Sequence, residues 1–184
     1  AISLASPIAI TVTSATNLAQ GDGITISGIV DTLAITAIDT ALEVTVTCSG
    51  HGYITGDKVV INGVLGMVEL NGNTYTVADE SANTFKIKDE SATAYINSVL
   101  FNPYEEGGTV IQHDKVEMSS LLNGKRFTVD DVNTVTSVIK LKTGDMTSDV
   151  DASVASAWRS GGVVKHARFA GSTFSLTGTD STNL

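Results

Sequence analysis

Gly56-Asp57-Lys58-Val59-Val60-Ile61-Asn62-Gly63-Val64 repeats Gly21-Asp22-Gly23-Ile24-Thr25-Ile26-Ser27-Gly28-Ile29. Each copy opens on a Gly-Asp turn, runs through alternating positions and breaks at a second glycine. Such alternation marks a strand with one buried face, and the glycines mark backbone that a side chain would strain. Ile10-Thr11-Val12-Thr13-Ser14, upstream of the first copy, matches Val44-Thr45-Val46-Thr47-Cys48 upstream of the second.

The rest of the unit recurs downstream. Leu70-Asn71-Gly72-Asn73-Thr74-Tyr75-Thr76-Val77 matches Leu122-Asn123-Gly124-Lys125-Arg126-Phe127-Thr128-Val129, and Phe85-Lys86-Ile87-Lys88 matches Ile139-Lys140-Leu141-Lys142. Tyr104-Glu105-Glu106-Gly107-Gly108-Thr109-Val110 matches Trp158-Arg159-Ser160-Gly161-Gly162-Val163-Val164. One complete unit is thus flanked by the front half of a second and its back half. A half-unit alone would leave strand edges unpaired, so the two halves are expected to pair with each other around the complete one, the alternative being a tandem array in which each half pairs with a neighbouring chain. The expected fold is all-β: two small β-barrel or sandwich modules, the second inserted into the first. Residues 1–31 plus 115–166 form the outer split module, 32–114 the inserted one, and 167–184 a C-terminal arm. Pairing of Ile24–Gly28 with Phe127–Val129 in one chain is the test of this nesting.

Asn71-Gly72 and Asn123-Gly124 are expected to form turns with positive φ at both residues. Helical signals are few: Ser148–Trp158, which Asp149 or Asp151 could cap, and more briefly Ala92–Asn97.

Charge narrows the partners. The chain has 184 residues, 17% of them charged, and a net charge of −9. Phosphate contacts need clustered Lys and Arg, and the densest basic run is only Lys165-His166-Ala167-Arg168. Nucleic acid is therefore not an expected partner. No apolar run is long enough to span a bilayer as a helix, so no membrane partner is expected either. Ala1-Ile2-Ser3-Leu4 lacks the basic start of a secretory signal and is expected to follow removal of an initiator Met. Cys48, the single cysteine, lies in an apolar run and reads as a small core residue.

The complete unit carries a resemblance. His51-Gly52-Tyr53-Ile54-Thr55-Gly56-Asp57, then Val59, Ile61, Gly63, Val64, Gly66, Met67 and Leu70-Asn71-Gly72, follow a recurrent pattern. It continues through Tyr75 and Phe85 to Tyr104 and Gly107-Gly108-Thr109-Val110. This resembles the FCCH-type small β domain, the first catalytic-cysteine half-domain of ubiquitin-activating enzymes. It also resembles modules of tailed-phage virion proteins. The resemblance implies a fold and not an activity, since no adenylation domain accompanies it. The outer unit departs from the pattern, with Asn17-Leu18 in place of His-Gly and Trp158 in place of the Tyr.

Read as chemistry, the motif is scaffold. His51, Gly52, Gly56, Asp57, Gly63, Gly66, Met67, Asn71, Gly72, Tyr75, Phe85, Gly107 and Gly108 are expected in turns and core. His51 has no second His or Cys at ligand spacing and is expected to brace a turn. His113 and His166 read as solvent or interface residues. The acidic pairs Asp79-Glu80, Asp89-Glu90, Glu105-Glu106 and Asp130-Asp131 are adjacent residues that diverge on a strand and are expected to be solvated. No catalytic residue, metal ligand or cofactor is assigned. Trp158 is expected to pack in the outer module in the role of Tyr104, with an interface contact as the alternative. In the tail, Phe169, Phe174 and Leu176 are candidate interface residues, the tail being either an arm that adds a strand to a neighbouring subunit or a disordered terminus. The expected role is a non-enzymatic structural subunit of a tailed-bacteriophage virion (head decoration, neck, tail or fibre), assembled in the host cytoplasm and carried on the extracellular particle. Its partners would be copies of itself and other virion proteins. The alternative is an adhesin-like module whose partner is a host glycan.

Overall fold

In a computed structural model the residues described are 1–166 and 173–176, the backbone alone for Thr173–Ser175. Phe169 and the remainder of the expected arm lie outside the described residues. The strands are β1 Ala9–Thr11, β2 Gly23–Val30, β3 Leu33–Ala34, β4 Ala37–Ile38, β5 Thr45–Thr47, β6 Lys58–Leu65, β7 Thr74–Ala78, β8 Thr84–Lys88, β9 Glu106–Gln112, β10 Arg126–Asn133, β11 Val138–Thr143, β12 Ser160–His166 and β13 Thr173–Ser175. A 3-10 turn at Val68–Leu70 and one short helix, α1, at Met118–Leu122 are the helical elements among the described residues. Ser148–Trp158 and Ala92–Asn97 are not helical. In both stretches carboxylates and hydroxyls bind nearby backbone N–H groups in tight turns, as Asp151 Oδ1 does from Ser153 N at 2.9 Å, and such local bonds compete with a helix.

The chain is all-β and forms two compact units, residues 1–31 with 115–184, and residues 32–114. The second is inserted into the first. The outer sheet runs β13-β12-β2-β10-β11-β1 and the inner sheet β3-β9-β6-β7-β8-β5-β4. Read in this order they are the same sheet. β2 and β6 show the same alternation of buried and exposed residues. In the outer unit, Phe127 sits opposite Ile24, so the halves on either side of the insert pair with each other within one chain. In the inner unit, Leu33 sits opposite Val110, which brings the two ends of the insert onto neighbouring strands. That explains why a complete module fits into a loop of another.

Each unit has its own core. The outer one gathers Ile8, Ile10, Ile24, Ile26, Met118, Leu122, Val129, Ile139 and Leu141, and the inner one Val44, Val46, Val59, Ile61, Met67, Leu70, Val77, Phe85 and Ile87. Cys48 is buried among the latter. A buried side chain of this size contributes about 1.5–3 kcal/mol.

The pairing corrects one repeat register. Ile10 faces Ile139 and Val46 faces Phe85, so Ile10 is the counterpart of Val46, not of Val44. The slip equals one full alternation. It leaves the same residues facing inward, so the hydrophobic pattern cannot detect it.

Candidate interface: the glycine bulge and the closing strand

Each unit is organised around a glycine bulge, meaning here a local break in a ladder at two facing glycines, with no residue inserted and no change of register. In the inner one, Asn62 pairs with Thr109 and Val64 with Gly107, and between them Gly63 and Gly108 face each other in the same register but drop out of the ladder. In the outer one, Ser27 pairs with Val163 and Ile29 with Gly161, leaving Gly28 and Gly162. All six glycines have positive φ, from 72° at Gly63 to 103° at Gly162. A Cβ on Gly161 would lie 2.1 Å from the Gly28 carbonyl oxygen.

An asparagine clamps the bulge. Asn71 Oδ1 accepts from Val64 N and its Nδ2 donates to Val64 O, both at 2.9 Å. Asn123 does the same with Ile29, both bonds at 3.0 Å. The Asn-Gly pairs are therefore not hairpin turns with two positive φ values. Asn71 is extended at φ −69° and Asn123 at φ −63°, and Gly72 and Gly124 alone take positive φ. This is the type II arrangement, and it frees the amide to reach the strand. The repeated Leu-Asn-Gly was the signal, but its partner in the outer unit lies across the whole insert.

An aromatic residue seals the other side. Tyr104 Oη donates to Gly107 O at 3.0 Å, and Trp158 Nε1 donates to Gly161 O at 3.2 Å. Trp158 is only 4% exposed and belongs to the outer core. Trp158 thus packs in the outer module in the role of Tyr104, and the alternative of an interface contact is set aside, because its indole serves the bulge of its own module.

The remaining motif residues are turn and core. Asp57 Oδ2 accepts from Ile54 N at 3.0 Å, as Asp22 Oδ2 does from Ala19 N at 2.8 Å. Gly52 and Gly56 have positive φ. A Cβ on Gly66 would meet Pro103 O at 2.1 Å. Met67 and Phe85 are fully buried. Tyr75 Oη donates to Leu70 O at 3.1 Å, and burial raises the tyrosine's pKa. His51 is buried, accepts from Tyr53 N at Nδ1 at 3.0 Å and lies 3.2 Å from Thr84 O at Nε2. Both contacts are met by a neutral ring with its proton on Nε2. Tyr53 stacks on His51, and Phe85 meets it edge-on.

His166 does not face solvent. β12 runs on through it opposite Ile24, and its Nε2 lies 2.9 Å from Asp22 Oδ2 in the interior. His113 is exposed. Among the exposed carboxylates, hydrogen bonds from Thr93 hold Asp89 at about 2, and bonds from Thr143 and Thr147 hold Asp145 at about 2. Asp79 is lowered chiefly by the hydrogen bond from Tyr95, and Lys86 is raised chiefly by Glu43. Among the described residues no group of three or more His, Cys, Asp or Glu gathers to hold a metal ion. No helix there is long and apolar enough to cross a membrane.

The last part of the site is the strand that closes each sheet. In the inner unit, β3 pairs with β9, Ile35 N donates to Gly108 O at 3.0 Å, and the chain passes through Thr36 directly into β4 at the opposite edge. In the outer unit, β13 takes the same seat on β12: Val163 faces Ser175, Val164 faces Phe174, and Leu176 N donates to Gly162 O at 3.0 Å. Leu176 bridges to Val12 beyond β1 and is 9% exposed in the outer core. Over Thr173–Leu176 the expected outward arm is thus a strand on its own module, and Leu176 is a core residue there. The bulge leaves an open seat on β12, and Leu176 fills the space that Gly162 leaves free.

Residues 39–114 match the ubiquitin-activating enzyme E1 FCCH domain. The FCCH-like module thus corresponds to the inserted unit from the turn after β4 to the loop after β9, and β3 and β4 lie outside the match. No curated protein matches the chain closely enough to count as a relative.

Proposed function

We propose that this protein is a non-enzymatic structural subunit of a tailed-bacteriophage virion that works through interfaces with copies of itself and with other virion proteins. One observation carries the reading: both units spend their distinctive residues on the same scaffold. The duplicated asparagines, aspartates, paired glycines and sealing aromatics all bind backbone. Repeated rigid modules suit particles built from many copies of one chain. The FCCH-like module's resemblance to phage virion modules supplies the setting, an extracellular particle assembled in the host cytoplasm.

The glycan-binding alternative calls for an exposed aromatic platform. The large apolar side chains exposed among the described residues, such as Leu42, Leu100, Val135 and Val154, are all aliphatic or Met. A glycan array tests that alternative directly. The structural reading is tested by light scattering of the purified chain across concentration, with negative-stain images of the same samples. Rings, trimers or filaments are expected. A strict monomer at every concentration removes self-assembly from the reading.

A further inference from the structure

We propose that the β12 edge is a strand-exchange site, at which segment 173–176 of one copy seats on β12 of a second copy and links the two head to tail. This names the partner surface of the structural-subunit reading and rests on that reading for the setting that crowds copies together.

The two units fill one seat by opposite routes. On β9 the closing strand arrives from the N-terminal side, as residues 33–35 leading into the module. On β12 it arrives from the C-terminal side, after the module's last strand. Register, the hydrogen bond to the second bulge carbonyl and the burial of Ile35 or Leu176 are the same in both. The seat therefore recognises a short strand ending in an apolar residue, whichever covalent path delivers it. The chain carries that strand twice: Leu33-Ala34-Ile35-Thr36 and Phe174-Ser175-Leu176-Thr177 share an apolar, small, apolar, Thr order.

The seat is shaped by an absent side chain. A Cβ on Gly162 would lie 2.2 Å from Leu176 Cδ1, so the glycine makes the space that the leucine fills. Only the link 167–172 ties β13 to β12. If the strand comes from a second copy, every pairing and the burial of Leu176 are kept, because the seat is identical. What changes is only that the seat is filled from outside. Exchange of an identical element has a low cost in contacts, and it becomes favourable when local concentration is high. A tail delivered into the next copy is a heterologous contact, and repetition of it yields a ring or a filament.

The test uses single-cysteine variants at facing positions, Val163→Cys in one preparation and Ser175→Cys in another, mixed and oxidised. Facing Cα atoms on antiparallel strands lie within disulfide reach, and Cys48 is buried. The expected product is a covalent dimer whose bridge maps to 163 and 175 by mass spectrometry. Its yield should rise about tenfold over a tenfold rise in concentration while dimers are scarce. Should either variant fail to fold, Lys165→Cys with Thr173→Cys samples the next facing pair. If both mixtures give no interchain bridge while the wild-type chain assembles, exchange is overturned and the structural reading stands. If the wild-type chain is monomeric at every concentration, exchange is overturned together with self-assembly, and the structural reading keeps only its contacts with other virion proteins.

Discussion

Replacing Asn123 by Ala should unlock the outer bulge and leave the inner one intact. The asparagine amide accepts from Ile29 N and donates to Ile29 O across a segment interrupted by the whole insert. Ile29 is buried, so truncation strands one donor and one acceptor. Each such group costs about 1–3 kcal/mol when unsatisfied; allowing for partial access of water, the loss should be about 2–4 kcal/mol. Asn71→Ala should cost the same in the inner unit, through Val64. The chain provides separate reporters. Its one Trp, Trp158, lies in the outer unit, and its four Tyr, at 53, 75, 95 and 104, all lie in the inner one. In a urea titration Asn123→Ala should move the tryptophan transition by about 1–2 M, given a slope of about 2 kcal/mol/M, and leave the tyrosine transition in place. Asn71→Ala should do the reverse. A loss below about 0.5 kcal/mol in both variants would show that the clamp is not what holds the bulge, and the equivalence drawn between the units would lose its main support.

Gly161→Ala should prevent the β2–β12 pairing, because its Cβ would meet the Gly28 carbonyl at 2.1 Å; Gly21→Ala, with φ +88° and open space around it, should cost only about 1–2 kcal/mol. Circular dichroism melts of the two variants make the comparison, and similar melts would refute it. Leu176→Ala should destabilise the outer unit by about 2–3 kcal/mol through its buried side chain, read as an earlier tryptophan transition. Residues 32–114 expressed alone should unfold cooperatively, since they hold a complete core and their ends meet on adjacent strands; calorimetry without a transition would refute this. Acid should weaken both units. Asp89 and Asp145 fall from an ordinary 3.8 to about 2 on folding, so between those values the unfolded chain binds more protons. Their contribution is full above about pH 4 and is lost as pH falls toward 2. An acid titration in which Asp89→Asn and Asp145→Asn unfold at the same pH as the wild type would refute it.

Much of this architecture can be read from the chain. Alternation at Ile24–Ile26, Val59–Ile61 and Phe85–Ile87 marks strands because each has one face buried, and the paired glycines mark the bulges. Other features lie beyond local pattern. The match of Ile10 to Val46 differs from a wrong one by a whole alternation. Asn123 finds its partner only across the insert. The short helix at Met118–Leu122 has no side-chain cap to announce it. The closing strand shares only a loose order with its counterpart, because its seat is selective at one apolar position and otherwise pairs through backbone. His166 looked like part of a basic surface run, and only the length of β12 carries it into the interior.

Nesting also sets how the chain would bear load. Tension applied through Ile2 and Leu176 reaches the outer unit alone, because residues 32–114 hang from it as a closed side loop. The inserted unit stays slack until Ile24 and Phe127 part. The first joints to feel the pull lie at the two ends, the Ile2–Ile10 and Val12–Leu176 bridges and the short β12–β13 pairing, whereas the β2–β12 ladder behind them shares the load over more pairs. Extended from these points, the protein would yield softly at its two ends, then resist, and release the length stored in the inserted unit last.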